Sequence, residues 1–169
     1  MKVIAKVFTG LALGAGLSTA AMADYGKPVG LSVHMGLFFT GSDIANSIEG
    51  RNWFIVGGDY KLGDMNNGGT PATYGIALDY ITKGSFSSVP VFLSYTIHQS
   101  EFYFGAGAGP AFNHYNDGVT KGTSTDFGFG LTIGRDLNYG KTPAFIEAKY
   151  FGGSRKELSG FAVVAGIRF

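Results

Sequence analysis

From Pro28 to its last residue the chain repeats one theme. Apolar side chains alternate with small or polar ones over segments of about ten residues, and clusters of Gly, Asn, Asp and Ser separate the segments. A period of two matches the pleat of a β-strand, whose successive side chains face opposite ways, and not the 3.6-residue repeat of a helix. Eight strands are predicted, over 28–40, 52–62, 72–82, 88–97, 101–113, 124–135, 142–152 and 159–169. No window carries a sustained apolar i, i+3, i+4 pattern, so no helix is predicted among them.

The two faces of these segments differ in kind. One carries large apolar residues, such as Val33, Met35 and Leu37 in the first segment, Phe127, Phe129, Leu131 and Ile133 in the sixth, and Phe161, Val163, Ala165 and Ile167 in the eighth. The other is rich in Gly, Ser and Ala with scattered charges; Gly105, Gly107 and Gly109 stand on it together, as do Gly128, Gly130 and Gly134. A soluble eight-stranded barrel also alternates, but its water-facing side would be rich in Lys, Glu, Asn and Thr. Small residues suit the cramped lumen of a narrow barrel, and the large ones then point outward, which fits an exterior of hydrocarbon. The expected fold is an all-β, eight-stranded, antiparallel up-and-down transmembrane barrel. Links 41–51, 83–87, 114–123 and 153–158 would lie outside the cell, and 63–71, 98–100 and 136–141 would be periplasmic turns. The first of those turns is longer than such turns usually are.

The charges agree with this assignment. Asp59, Lys61, Asp79, Glu147, Lys149 and Arg168 all fall on the small-residue face, three acids against three bases, and are expected to pair inside as a lumen charge network. Sliding the register by one residue would turn all six toward lipid, at a summed cost on the order of 10 kcal/mol. Aromatics are expected in two belts, with Tyr60, Tyr74, Tyr95, Phe102 and Phe169 near the periplasmic ends and Phe39, Phe54, Tyr80, Phe112, Phe127 and Tyr150 near the outer ends. Strand eight must pair with strand one, because an open edge leaves backbone groups unsatisfied in lipid. The final "FAVVAGIRF" reads as that closing strand, with Phe169 at the periplasmic belt.

Composition adds two constraints. Lys2 and Lys6, an apolar run and Ala21-Met22-Ala23 have the layout of a secretory signal peptide over residues 1–23, cleaved after Ala23. Its removal leaves 11 basic against 12 acidic residues, a balance that excludes a nucleic-acid footprint. There are no cysteines, hence neither a disulfide scaffold nor a thiolate metal site. The mature domain is residues 24–169, exported by a bacterium.

The signal peptide, the eight amphipathic strands, the "FYFGAGAGPAF" segment and the terminal aromatic on an alternating strand together resemble the small outer-membrane barrels, a group that includes the OmpA transmembrane domain, OmpX and the Ail-type adhesins. The likeness covers residues 24–169. It implies a monomer in the outer membrane of a Gram-negative cell, in contact with outer-membrane lipid and lipopolysaccharide and delivered by periplasmic chaperones. It also implies an assembly signal at Phe169, read by the barrel-assembly machinery. The chain departs from the OmpA pattern in having no peptidoglycan-binding domain after the barrel, so no cell-wall tether is expected. Its outer loops are shorter than expected of an Ail-type adhesin.

Other candidates for chemistry are weaker. "GAGAGP" at 105–110 lacks the G-x-G-x-x-G spacing and no helix follows, so lumen-facing glycine explains it better than a phosphate loop. His98 and Ser100, with Glu101 beside them, resemble the base, nucleophile and acid of outer-membrane lipid A deacylases. The predicted topology puts them at a periplasmic turn, whereas that family's site faces the outer leaflet, and a polar hairpin turn is the blander account. His34 is expected to be a hydrogen-bonded lumen residue, His114 lies near an outer loop, and neither has ligand spacing for a metal. At the outer rim, Arg155 and Lys156 are candidate contacts for lipopolysaccharide phosphates. Arg51, Lys83 and Lys121 share that rim with Asp43, Glu49, Asp117, Asp126 and Glu157, which leaves no basic field. The expected function is structural, in envelope integrity or surface contact, without catalysis or cofactor. The alternatives are a minor pore or a lipid A hydrolase using His98 and Ser100.

Overall fold

In the computed structural model, eight antiparallel strands close on themselves in sequence order as an up-and-down barrel. The structure describes residues 30–67, 69–116, 121–139, 142–154 and 159–169. The strands are β1 (Leu31–Thr40), β2 (Asn52–Asn67), β3 (Thr70–Lys83), β4 (Phe86–Gln99), β5 (Phe102–Asn116), β6 (Lys121–Tyr139), β7 (Thr142–Gly153) and β8 (Gly160–Arg168). The proposed signal peptide, its cleavage point after Ala23 and the start of the first predicted strand lie outside the described residues.

Closure runs through β1 and β8, registered from Ser32 opposite Arg168 to Thr40 opposite Gly160. It continues one step beyond the ladder: the Phe169 amide donates to Leu31 O at 2.7 Å, and the Gly30 amide donates to Phe169 O at 3.0 Å. No edge strand is left open. The end of the barrel that carries Thr40, Asn52, Lys83, Phe86, Asn116, Lys121, Gly153 and Gly160 is here the loop end, and the end that carries Gly30, Asn67, Thr70, Gln99, Phe102, Tyr139, Thr142 and Phe169 is the turn end.

The barrel is inverted relative to a soluble protein. The face carrying Met35, Leu37, Leu93, Phe104, Leu131, Ile133 and Val163 is exposed, and the face carrying His34, Asp79, Glu147 and Lys149 is buried. Each strand's alternation therefore divides inside from outside as its sequence predicts. Among the exposed aromatics, Tyr60, Tyr74 and Phe102 stand toward the turn end, and Phe54, Phe112 and Phe127 toward the loop end. The loop-end set gains Phe161, whose ring lies 4.9 Å from that of Tyr150.

Two local expectations are corrected. A helix, α1 (Asp43–Glu49), occupies the first loop. Ser42 caps it, its side chain accepting from the Ala45 amide, and Gly50 ends it at φ 77°. At seven residues α1 is too short to show a sustained apolar repeat, and it forms because tertiary contacts hold it. Ala45 is fully buried in the core at the barrel mouth, and the Glu49 carboxylate accepts from the Ser85 amide at 2.8 Å. The long turn predicted at 63–71 is mostly strand. An irregularity between Lys61 and Gly63 shifts the register of β2, which then pairs with β3 as far as Asn67 opposite Thr70. The bulge breaks the alternation that reveals a strand in sequence.

Candidate functional site

The lumen has two halves built on the same strands. Toward the loop end it is packed with aromatic rings. Phe38 lies 5.7 Å from Trp53, Trp53 stacks on Phe86 at 5.5 Å, and Phe151 bridges Phe38 at 6.1 Å and Phe92 at 6.4 Å. Ile55, Ile81, Ala162 and Val164 fill the spaces between them, all buried. The indole N–H of Trp53 donates to Gly50 O at 2.8 Å, so the last turn of α1 satisfies its one polar group.

Toward the turn end the lumen is ionic, and its centre is built by one device used twice. In one row across three neighbouring strands, His34 of β1 pairs with Gly57 of β2, which pairs with Asp79 of β3. Gly57 has no side chain to stand between its neighbours; a Cβ there would collide with Asp79 and with His34 Nε2. His34 Nε2 and Asp79 Oδ1 therefore meet at 2.6 Å over the glycine. In a second row, Tyr103 of β5 pairs with Gly134 of β6, which pairs with Glu147 of β7. A Cβ at Gly134 would enter the Tyr103 ring; without one, the ring lies over the glycine and its hydroxyl donates to Glu147 Oε1 at 2.8 Å.

Lys149 joins the two rows. Its Nζ donates to both Asp79 oxygens at 3.4 Å and lies 3.7 Å from Glu147 Oε2. It also stands 3.1 Å from His34 Nε2. Lysine has only protons to offer, and the 2.6 Å separation from Asp79 suits a charge-assisted bond, so Nε2–H is assigned as the donor to Asp79 and the carboxylates hold Lys149. Asp59 completes the cluster, accepting from Ser32 Oγ at 3.2 Å with His34 Nδ1 at 3.5 Å. His34, Asp79, Glu147 and Lys149 are all buried.

Of the six charges expected to form one network, the structure brings Asp59, Asp79, Glu147 and Lys149 together. Lys61 stands apart, half-exposed at the rim and paired with Asp64 at 3.2 Å. Arg168 faces a different acid, Asp136, at 3.0 Å, with its guanidinium between the rings of Tyr103 and Phe145 at 4.7 and 4.6 Å. Tyr103 and Asp136 were not among the sequence candidates. Tyr103 could have been found by following its row through Gly134 to Glu147.

His98, Ser100 and Glu101 have separate surroundings. His98 faces the lumen and meets Thr73 Oγ1 at 3.2 Å, Ser100 tops the turn at φ 58°, and Glu101 accepts from Arg135 Nη2 at 2.7 Å. "GAGAGP" is part of β5. Among the described residues no group of three His, Cys, Asp or Glu is placed to hold a metal. Arg155 and Lys156 lie outside the described residues, as do Asp117 and Glu157. Phe169 sits half-buried at the turn end, its backbone completing the closure. Comparison with protein-family models, with curated proteins and with solved structures returns no match, so the fold and the lumen geometry carry the functional reading.

Proposed function

We propose that this chain is an integral outer-membrane barrel with a structural role in the envelope or at the cell surface, and that it performs no catalysis. One observation carries the reading. The strands' outer face carries large apolar side chains that are widely exposed, Leu93 at 70%, Phe127 at 65% and Phe161 at 63%, while His34, Asp79, Glu147 and Lys149 are buried on the inner face. A soluble monomer rarely exposes contiguous apolar surface beyond a few hundred Å². In a bilayer the same outer face is solvated by acyl chains and the closed ladder satisfies every strand's backbone. Its partners on this reading are lipid and lipopolysaccharide, the periplasmic chaperones and the assembly machinery that would read Phe169, and the barrel acts as a monomer. Loops at the loop end would face outward, and short turns the periplasm. Aromatic rings pack the loop-end half of the lumen, so the reading includes no transport.

Two measurements test it. An unboiled membrane fraction should run differently on a detergent gel from a boiled one, because a closed barrel resists detergent until heated; identical migration counts against it. Leu93→Arg places a cation at the centre of the proposed lipid wall and should cost about 2–4 kcal/mol of stability in vesicles. A soluble barrel would tolerate that surface change within about 0.5 kcal/mol.

A further inference from the structure

The ionic half of the lumen holds a cavity of about 300 Å³, a size at the lower end of small-molecule sites. Gly75, Gly105, Gly107 and Gly130 line it, so its volume exists because these positions bear no side chains. Phe92 and Phe151 close it toward the loop end, which leaves the turn end as its entrance. We propose that this cavity binds a small organic cation, a primary amine, whose ammonium group donates to Glu147 Oε2, the carboxylate oxygen that accepts no hydrogen bond.

The hydrogen bonding at Glu147 points to a cation. Four carboxylates line the cavity, Asp59, Asp79, Asp136 and Glu147. Of the lysines and arginine in the lining, Lys61 turns to Asp64 at the rim; His34 serves Asp79 and Asp59 from behind, Arg168 serves Asp136, and Glu147 has only Lys149, shared with Asp79, as a cation among the described residues. Glu147 is only 6% exposed, and its Oε2 accepts no hydrogen bond. Tyr103 serves the other oxygen, and the ammonium of Lys149 stops 3.7 Å short. A buried carboxylate oxygen without a donor is costly, and an incoming ammonium supplies the missing donor. Asp136 Oδ1 is likewise without a hydrogen bond, although Arg168 Nη2 lies 3.0 Å away as an ion pair.

Arg168 also has unmatched donors, Nε and Nη2, which an anion could accept. They are flanked by two aromatic rings and by Asp136, and an anion would have to enter beside that carboxylate. A metal ion is a poorer occupant, because the carboxylates are dispersed and no three ligating side chains converge among the described residues. An amine needs only one carboxylate for its head, and Ser94, Thr96 and Thr132 offer hydroxyls along the cavity wall for a polar tail. Entry from the periplasm rests on the outer-membrane reading; the binding itself does not.

The test uses the full folded chain in detergent micelles, titrated with 1,4-diaminobutane and, separately, with sodium acetate, and followed by backbone amide shifts. Saturable shifts are expected at Thr96, Tyr103, Thr132 and Glu147, with none at Phe38 or Trp53, and acetate should leave them unmoved. Glu147→Gln, which retains the acceptor for Tyr103, should weaken amine binding by at least about tenfold. Thr132→Leu fills the cavity without touching an ionised group and should abolish the saturable shifts; it serves also if Glu147→Gln does not fold. The proposal is overturned if the diamine gives no saturable shifts, if acetate reproduces them, or if both variants bind as the parent does. A missing heat shift on gels would instead strike the outer-membrane reading and leave this result to stand alone.

Discussion

The two halves of the lumen belong to the same faces of the same strands and yet have opposite chemistry. β1 carries His34 in the ionic half and Phe38 in the dry one; β7 carries Glu147 and Lys149, then Phe151; β3 carries Asp79, then Ile81. Alternation assigns a residue to the interior, and depth along the strand decides whether that interior is charged or greasy. The difference follows the ends of the barrel. α1 presses Ala45 onto the rings at the loop end, and the polar groups buried beside them, Ser88 and Asn113, are hydrogen-bonded to each other and on to Asp126 and do not stand as an ionic cluster. Toward the turn end His34, Asp79, Glu147 and Lys149 are buried too, and their mutual pairing and hydrogen bonds offset the desolvation penalty of a buried ionic cluster.

Substitutions in the two halves can break this contrast or sharpen it. Lys149→Ala should have the largest effect. It strips the shared cation from Asp79 and Glu147 and is expected to cost about 3–5 kcal/mol, read from urea unfolding in vesicles. A loss below about 1 kcal/mol would mean that water alone solvates those carboxylates, and that the ionic half is simply wet. Phe92→Ala comes next, at about 3 kcal/mol, because Phe92 stands at the border and contributes ring surface to the dry half. Planar-bilayer recording should still find no conductance in this variant, since Phe38, Trp53 and Phe86 remain packed above it. A current through Phe92→Ala would show that the dry half is a single gate and not a filled core.

Smaller effects concern the ends. Ser42→Ala removes the cap of α1 and should cost about 1 kcal/mol by the same unfolding assay, with the loss confined to the dry half if amide exchange rises at Ala45 and Trp53. Arg135→Ala breaks the exposed pair with Glu101 at the turn rim and should change stability by less than about 1 kcal/mol. A larger loss there would extend the ionic cluster to the rim.

Inside and outside were legible in the sequence because every strand states the same contrast and one buried charge on each of several strands sets the register. Residues 31–40 and 160–168 also announced the closure, through a final strand that needs a partner. Less legible was what meets across the lumen. Phe38, Trp53, Phe92 and Phe151 each fall on a small-residue face and Phe86 in the predicted link 83–87, and only closure brings them into one stack. Lys61 and Arg168 were placed on the correct face, but the bulge after Lys61 brings it to Asp64, and Arg168 lies at a depth where Asp136, not the central acids, is within reach. α1 had its cap residues in plain view at Ser42 and Gly50, but a helix of two turns has too few positions to declare a period.

The glycines at 57 and 134 have a consequence for assembly. Polarity can police only odd displacements of a strand, because moving by two residues returns every side chain to its proper face. Such an even displacement of β2 would put Ile55 or Asp59 where Gly57 belongs, wedge a side chain between His34 and Asp79, and part the bond that spans the row. β6 is checked in the same way by Tyr103 and Glu147, since the flanking lumen positions are Thr132 and Asp136. The two bridged rows thus reject the one class of misalignment that a greasy exterior would accept.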